Sequence, residues 1–380
     1  LGFLTPDYSG SERVDLNKTR RKKMRVISIA NQKGGCGKTT TTINLSACLA
    51  AKGRRVLLID LDPQGHSSMG LNVHPAESQS TLHDALGNAQ GVRLDLEHVI
   101  VRVGENLDIA PSDLGLSTFE QHLSMVQGRE TRLKQALEGL PQPYDYIIID
   151  CPPSLGLLTF NALMASTEVF IPIEMSVFSL HGTGKLLEII ELVRTKTGHE
   201  IRVKVLATMF DGRTRMANEV LKDMEEHFRN SLFSTIIHAS VRLREAASQG
   251  KAVVDYGRKS KASADYMSLA QEVVEEEKLP GVAKSARSRD TFLRHRKTQF
   301  SIHAPEANSV KVVGNFSNWT QEAGFALDRH EDGNWSKEIL LPPGVYQYKF
   351  LVDGRWVEDQ GNPNLVQDPY GGRNAVLEIH

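Results

Sequence analysis

The sequence predicts an α/β domain, a mostly parallel sheet with helices on both faces, followed by a C-terminal all-β sandwich of immunoglobulin type. Three observations carry this expectation. From Arg25 to about Glu276, short β-branched runs alternate with longer amphipathic segments. A glycine-rich turn at 31–40 separates the first run from the first long segment. Beyond Leu279 the pattern changes to short alternating strands broken by turn signals.

Taken in order, residues 1–23 are polar and are set aside as a disordered leader, because Met24 directly precedes the first strand-like run. RVISIA and RVLLID read as strands around TTTTINLSACLAAKG, which reads as a helix. YDYIIID, EVFIPIE, KVLATMF and STIIHAS read as further strands, completing a domain over 24–278. Residues 279–297 carry Pro280, Gly281 and scattered Lys and Arg, so they read as a linker. From 298 to 380, FSIHA, SVKVVGNF, WSKEILL, VYQYKFLV, RWVED and NAVLEIH alternate, with an Asp353-Gly354 hairpin signal between two of them. In VYQYKFLV the alternation places Tyr346, Tyr348, Phe350 and Val352 in a core and leaves Lys349 outward.

With 380 residues, 40% of them hydrophobic, the chain can build two cores. A net charge of −1 gives no overall attraction to nucleic acid or membrane, so such binding has to come from local patches. Cys36, Cys48 and Cys151 are too few and too oddly spaced for a disulfide framework or a zinc site, which points to a reducing compartment. Two readings stay open for Cys36 and Cys151, packing residues or an oxidation sensor beside the phosphate motifs. No apolar run approaches the ~18 residues that span a bilayer, and a cytoplasmic protein is expected.

NQKGGCGKTT at 31–40 sits between a strand and a helix, where backbone N–H groups and a helix N-terminus can surround phosphate oxygens. Gly34, Gly35, Cys36, Gly37, Lys38, Thr39 and Thr40 form the candidate ATP cradle. Lys38 would reach the β and γ phosphates and Thr39 would ligate Mg²⁺. Gln32 stands where the first glycine of an ordinary GxxxxGK motif belongs, and the loop instead reads KGGCGKT. That form resembles the deviant Walker A motif of the ParA/MinD/Soj family of P-loop NTPases, with LLIDLDPQG and YIIIDCPPS in register behind it. The resemblance covers roughly residues 25–276. It implies an ATP-sandwiched homodimer in which Lys33 contacts the partner's nucleotide, with Lys38 and Asp62 also catalytic. It further implies that Asp60 and Asp150 lie at the metal with Thr39, and that a ParB-like protein stimulates hydrolysis.

In Soj-like proteins, arginines matching Arg213 and Arg242 bind nonspecific DNA, which implies nucleoid association. His238-Ala239-Ser240 departs from the family's Pro-Arg-Asn and removes one positive charge from that face. SLAQEVVEEEKL is acidic where MinD-like proteins carry a basic membrane helix, so no membrane partner is expected. No CxxC exists for an iron–sulfur cluster.

At the C-terminus, Trp319 and Trp356 fall outside the aromatic core run. Indoles near a lysine suit a polysaccharide, because sugar C–H faces stack on rings while hydroxyls need polar partners. GNFSNW, YKFLVDGRW and NPNLVQDPYGGRNAVLEI resemble the glycogen-binding domain of the AMP-activated protein kinase β subunit. The resemblance implies that Trp319, Lys349, Trp356 and Asn374 contact glycogen or an α-glucan. Tyr370 stands where that module inserts an apolar residue, and Gly372 where a threonine is usual. Three functions follow as expectations: an ATPase positioning glucan cargo on nucleoid DNA, an ATP-switched scaffold without DNA, or a partition ATPase with an accessory interaction domain.

Overall fold

The computed structural model describes residues 24–75, 80–87, 92–123, 125–141, 144–176, 183–278, 296–317, 319, 325–341, 344–368 and 371–379. The expected leader, positions 279–295 of the expected linker, and Tyr370 lie outside the described residues.

The first domain is built on strands β1 (Arg25–Ile29), β2 (Val56–Asp60), β3 (Val101–Arg102), β4 (Leu107–Ala110), β5 (Tyr146–Asp150), β6 (Glu168–Glu174) and β7 (Arg202–Thr208). Their order is β3-β4-β2-β5-β1-β6-β7, parallel throughout except at the edge strand β3. The helices are α1 (Lys38–Ala51), α2 (His66–Gly70), α3 (Leu82–Leu86), α4 (Phe119–His122), α5 (Arg132–Glu138), α6 (Leu157–Ala165), α7 (Gly184–Thr197), α8 (Arg215–Phe228), α9 (Val241–Ser248), α10 (Val253–Tyr256) and α11 (Lys261–Glu275). Because successive strand side chains point to opposite faces, Leu57 and Ile59 enter one apolar layer while Val56 and Leu58 enter the other. Both faces are therefore buried, as the continuous apolar runs require.

Register does the positioning. Asp60 at the end of β2 pairs with Asp150 at the end of β5, and Ile29 of β1 pairs with Asp150 from the other side. The phosphate loop leaving β1 thus begins beside two carboxylates, at the carboxyl edge where open parallel sheets bind ligands. At the opposite edge, the acidic end of α11 is tied inward: Glu276 pairs with Arg202 (2.5 Å) and Lys204 (3.0 Å), while Arg25 binds Glu168 (2.6 Å).

One expected strand is absent. Residues 234–240, STIIHAS, run past β7 with a single bridge from Phe210 to His238. Their backbone donors are divided: Ile237 and Ala239 N–H donate to the Ala207 and Phe210 carbonyls, while on α11 Glu272 accepts from Ser234 and Thr235 N–H and Asp265 from His238 N–H. With Ser234 and Thr235 N–H turned to Glu272, the segment keeps scattered bonds to the chain at and beyond β7 in place of a continuous ladder.

The second domain is antiparallel, with strands β8 (Arg296–His303), β9 (Val310–Gly314), β10 (Asp328–Arg329), β11 (Asn334–Leu341), β12 (Gly344–Val352), β13 (Arg355–Val357), β14 (Leu365–Gln367) and β15 (Arg373–Ile379). One sheet runs β10-β11-β8 and the other β13-β12-β15-β14, with β9 on β12. Strand β8 starts inside the expected linker, since Arg296 and Lys297 already pair with Leu341 and Leu340. Tyr346, Tyr348 and Phe350 lie in the core with Trp335, and Val352 packs on it. Lys349 faces the other way, as alternation requires, but it is not out in solvent. It is only 8% exposed, because Asp368 reaches it across the sheet at 2.5 Å.

Candidate functional site

The phosphate loop is shaped by its glycines. Gly35 and Gly37 hold φ of 78° and 92°, a left-handed backbone that costs other residues strain. Among the described residues nothing lies within 4 Å of where a Cβ on Gly34 or Gly35 would stand. Gly37 gives α1 no side-chain cap, and the first turn carries no acidic residue. The leading N–H groups of α1 therefore suit an anion. Lys38 is buried, and its Nζ donates to the Lys33 carbonyl at 3.1 Å, within the loop it would serve. Thr208 at the end of β7 donates to the Cys36 carbonyl at 2.9 Å and pins the loop to the sheet.

Three carboxylates converge behind Lys38. Asp60 and Asp150 are fully buried and Asp62 is 8% exposed. Ser68 donates its N–H (2.8 Å) and hydroxyl (2.7 Å) to one Asp60 oxygen, while Asp60 Oδ1 has no partner among the described residues. Ser67 donates to Asp150 at 2.7 Å and Thr42 at 3.3 Å. Asp62 accepts from Gln64 N–H at 3.0 Å, and its carbonyl accepts from Ser112 at 2.6 Å. Burial and the facing Asp150 push Asp60 up to about 7. Burial pushes Asp150 up to about 6, although the hydroxyls of Ser67 and Thr39 pull it back. Among the described residues neither buried carboxylate forms an ion pair, although Lys38 lies near enough to favour the charged form of Asp150, and a hard divalent cation held by oxygen ligands fits that need. Ser67, Ser68 and Thr42 escaped the sequence reading. The only signal was their place, directly after the DPQG turn and inside the first turns of α1.

The raised carboxylates make a signed prediction. Each binds its proton more tightly folded than unfolded, so stability is fully present below the unfolded value and is lost as pH rises through about 6 and 7. In thermal melts, Tm without Mg²⁺ is expected to fall between about pH 5 and about pH 8. Stabilisation by Mg²⁺ with ADP should grow over the same interval; a gain independent of pH would disconnect the cation from these carboxylates.

Lys33 is already engaged within its own chain. Its Nζ meets Glu174 at 2.6 Å and Ser176 at 2.9 Å. Cys36, Cys48 and Cys151 are buried, and burial raises all three thiols, which favours packing over oxidation sensing. The two arginines assigned to DNA are exposed but partnered: Arg213 with Asp211 at 2.7 Å and Arg242 with Glu245 at 2.9 Å. Ser240 caps α9 by accepting from Arg242 N–H, and His238 is held by Asp265 at 3.0 Å.

On the second domain, Trp319 and Trp356 are 37% and 48% exposed, with ring centroids 6.2 Å apart at 63°. Strand pairing brings them together: Trp319 N–H bonds to the Gly314 carbonyl at the end of β9, and Trp356 sits opposite Leu351 of β12. Lys349 and Gln347 share the outward side of β12, and Asn374 of β15 donates to Gln347 at 3.1 Å. An apolar corner thus adjoins an ammonium and two amides, a pattern suited to sugar faces and hydroxyls.

An AAA-domain family model matches residues 24–203, and a model for the glycogen recognition site of AMP-activated protein kinase matches residues 297–380. The chain is 43% identical over 250 residues to sporulation initiation inhibitor protein Soj of Bacillus subtilis, spanning 66% of this chain and 98% of that protein. It is 42% identical over 259 residues to chromosome partitioning protein ParA of Caulobacter vibrioides, spanning 67% of this chain and 96% of the relative. Cobyrinic acid a,c-diamide synthase from Mycobacterium smegmatis, solved with ADP and magnesium, matches with a TM-score of 0.59 and 33% identity over 67% of this chain and 95% of that one. The chain therefore belongs to the Soj/ParA family of partition ATPases and carries a C-terminal domain of the AMP-activated protein kinase glycogen-recognition family.

Proposed function

We propose that this chain is a Mg²⁺-dependent ATPase that closes into an ATP-sandwiched dimer and holds a glucan cargo on nucleoid DNA. The observation carrying the reading is the presence, on one chain, of a phosphate loop backed by Asp60, Asp62 and Asp150 and of a separate sandwich bearing an exposed indole pair. ATP is the substrate. Lys38 and the N–H groups opening α1 bind its phosphate oxygens, and Thr39, Asp60 and Asp150 hold Mg²⁺. The bound ion supplies charge neutralisation at the phosphates. Asp62 orients the water that attacks the terminal phosphorus, and ADP leaves as the phosphoanhydride bond breaks.

For Lys33 to reach a partner's nucleotide it must leave Glu174 and Ser176. ATPase activity per chain should therefore rise with protein concentration, and Lys33→Ala should flatten that rise. Glu174→Gln removes an ion pair whose side chains are 26% and 24% exposed, a class of contact contributing about 1 kcal/mol or less. The steep part of its activity curve is expected at about two- to fivefold lower protein concentration. Parental kinetics in Lys33→Ala would remove the sandwich dimer from the proposal.

A second reading, an ATP-switched scaffold without DNA, is favoured by the carboxylate partners of Arg213 and Arg242 and by the uncharged Ala239. A partition ATPase with a purely accessory sandwich is the third. The indole corner speaks against it, since two exposed tryptophans in contact are an unusual surface for a domain that binds nothing.

A further inference from the structure

The ion pair between Lys349 and Asp368 lies on the same outward face as the indoles. Its side chains are 10% and 11% exposed, and Nζ and Oδ2 are 2.5 Å apart. The other Asp368 oxygen accepts from Gly372 N–H at 3.0 Å, and Asp368 N–H donates to the Gly372 carbonyl at 2.8 Å. A Cβ on Gly372 would stand 2.7 Å from Lys349 Nζ and 2.8 Å from Asp368 Oδ2. The Gly372 backbone does not take a positive φ, so the position is glycine for room and not for backbone freedom. A threonine side chain here would force the ends of Lys349 and Asp368 to shift.

Burying two charges on a sheet face that needs neither for its core is costly, and a hydrophobic pair would serve stability as well or better. The arrangement does have a chemical consequence. An ammonium has three donors, and among the described residues Lys349 donates to Asp368. Lys349 is thus fixed in place with its charge matched. Beside it stand the Gln347–Asn374 amide pair and, one register step along β12, Trp356.

We propose that Asp368 is a positioning and specificity-determining residue of the glucan site, holding Lys349 as a charge-matched donor so that the face selects neutral glucans over anionic polysaccharides. The proposal rests on the glucan reading of the sandwich. Without Asp368, the same ammonium becomes an unpaired charge beside an aromatic surface and favours sulfate or phosphate esters.

All three tryptophans, Trp319, Trp335 and Trp356, lie in the sandwich, so indole emission of the full chain reports this domain and not the ATPase. Emission would be titrated with maltoheptaose and, separately, with sulfated maltoheptaose. The parent should bind the neutral sugar at least about tenfold more tightly than the sulfated one. Asp368→Asn keeps an acceptor for Gly372 N–H but removes the charge. Its affinity for maltoheptaose should fall about tenfold, and its affinity for the sulfated sugar should rise and weaken with salt. Gly372→Ala, which intrudes on the pair, should lower neutral-sugar affinity in the same direction. A merely structural Asp368 would lower both affinities together. Parental affinities for both sugars in folded Asp368→Asn would overturn the proposal, as would that joint loss. If near-ultraviolet circular dichroism shows Asp368→Asn unfolded, Gly372→Ala decides on the same readout. A parent that responds to neither sugar and is not retained on glycogen removes the glucan reading itself, and this proposal with it.

Discussion

Lys38→Ala is expected to abolish ATP hydrolysis, with a loss on the order of a hundredfold or more. The side chain is buried at the mouth of α1, and its Nζ already lies against the Lys33 carbonyl, so no rearrangement of the scaffold is needed for it to meet a phosphate. The neighbouring cation of the loop, Lys33, is held by Glu174 and Ser176. Removing Lys38 leaves the three carboxylates facing a polyanion with less compensation, in a site where charge is poorly screened. The loss should appear in phosphate release and in nucleotide binding together. Asp62→Ala is expected to differ: nucleotide should still bind, and hydrolysis should stall with ATP retained. Measurable turnover by folded Lys38→Ala at parental rates would mean that the phosphate site lies elsewhere.

The second large effect belongs to the indole pair. Trp319→Ala or Trp356→Ala is each expected to weaken glycogen binding about tenfold or more, since truncating an aromatic anchor costs about 2 kcal/mol. Their exposure of 37% and 48% separates this loss from unfolding, because the core tryptophan is Trp335, 7% exposed with its indole N–H on the Ala304 carbonyl. Trp356→Ala is the cleaner variant. Trp319 holds φ of 57°, so its replacement also alters a strained turn. Because the rings touch edge to face, the double variant should lose less than the sum of the two single losses. Folded variants with parental retention on immobilised glycogen would leave the sandwich as a protein-interaction domain.

Much of this arrangement was legible in the residues, and the failures share a cause. The apolar runs at β1, β2 and β5 announce buried parallel strands, and motifs at their ends announce where Lys38, Asp60 and Asp150 meet, because a strand's carboxyl end is visible in its pattern. STIIHAS has a strand's composition too, but Glu272 and Asp265, far along the chain, claim three of its donors. Alternation along β12 assigns Lys349 to the correct face. It cannot show that the segment following β14 returns Asp368 to that face, which turns an expected solvent lysine into a buried pair. The same limit hid Glu174 from Lys33 and Ser67 from Asp150. These are contacts between elements, set by packing, whereas period and motif describe one element at a time.

The account's central claim is that one chain joins a glucan to DNA under control of ATP. Beads carrying nonspecific duplex DNA, mixed with labelled glycogen and the full chain at low salt, test it directly. The account predicts that glycogen is retained only when protein and ATP are both present, that retention falls steeply with added salt, and that it is lost in both Trp319→Ala/Trp356→Ala and Arg213→Glu/Arg242→Glu. Glycogen that binds the protein in solution yet never reaches the DNA beads with ATP, or reaches them equally without nucleotide, would contradict it.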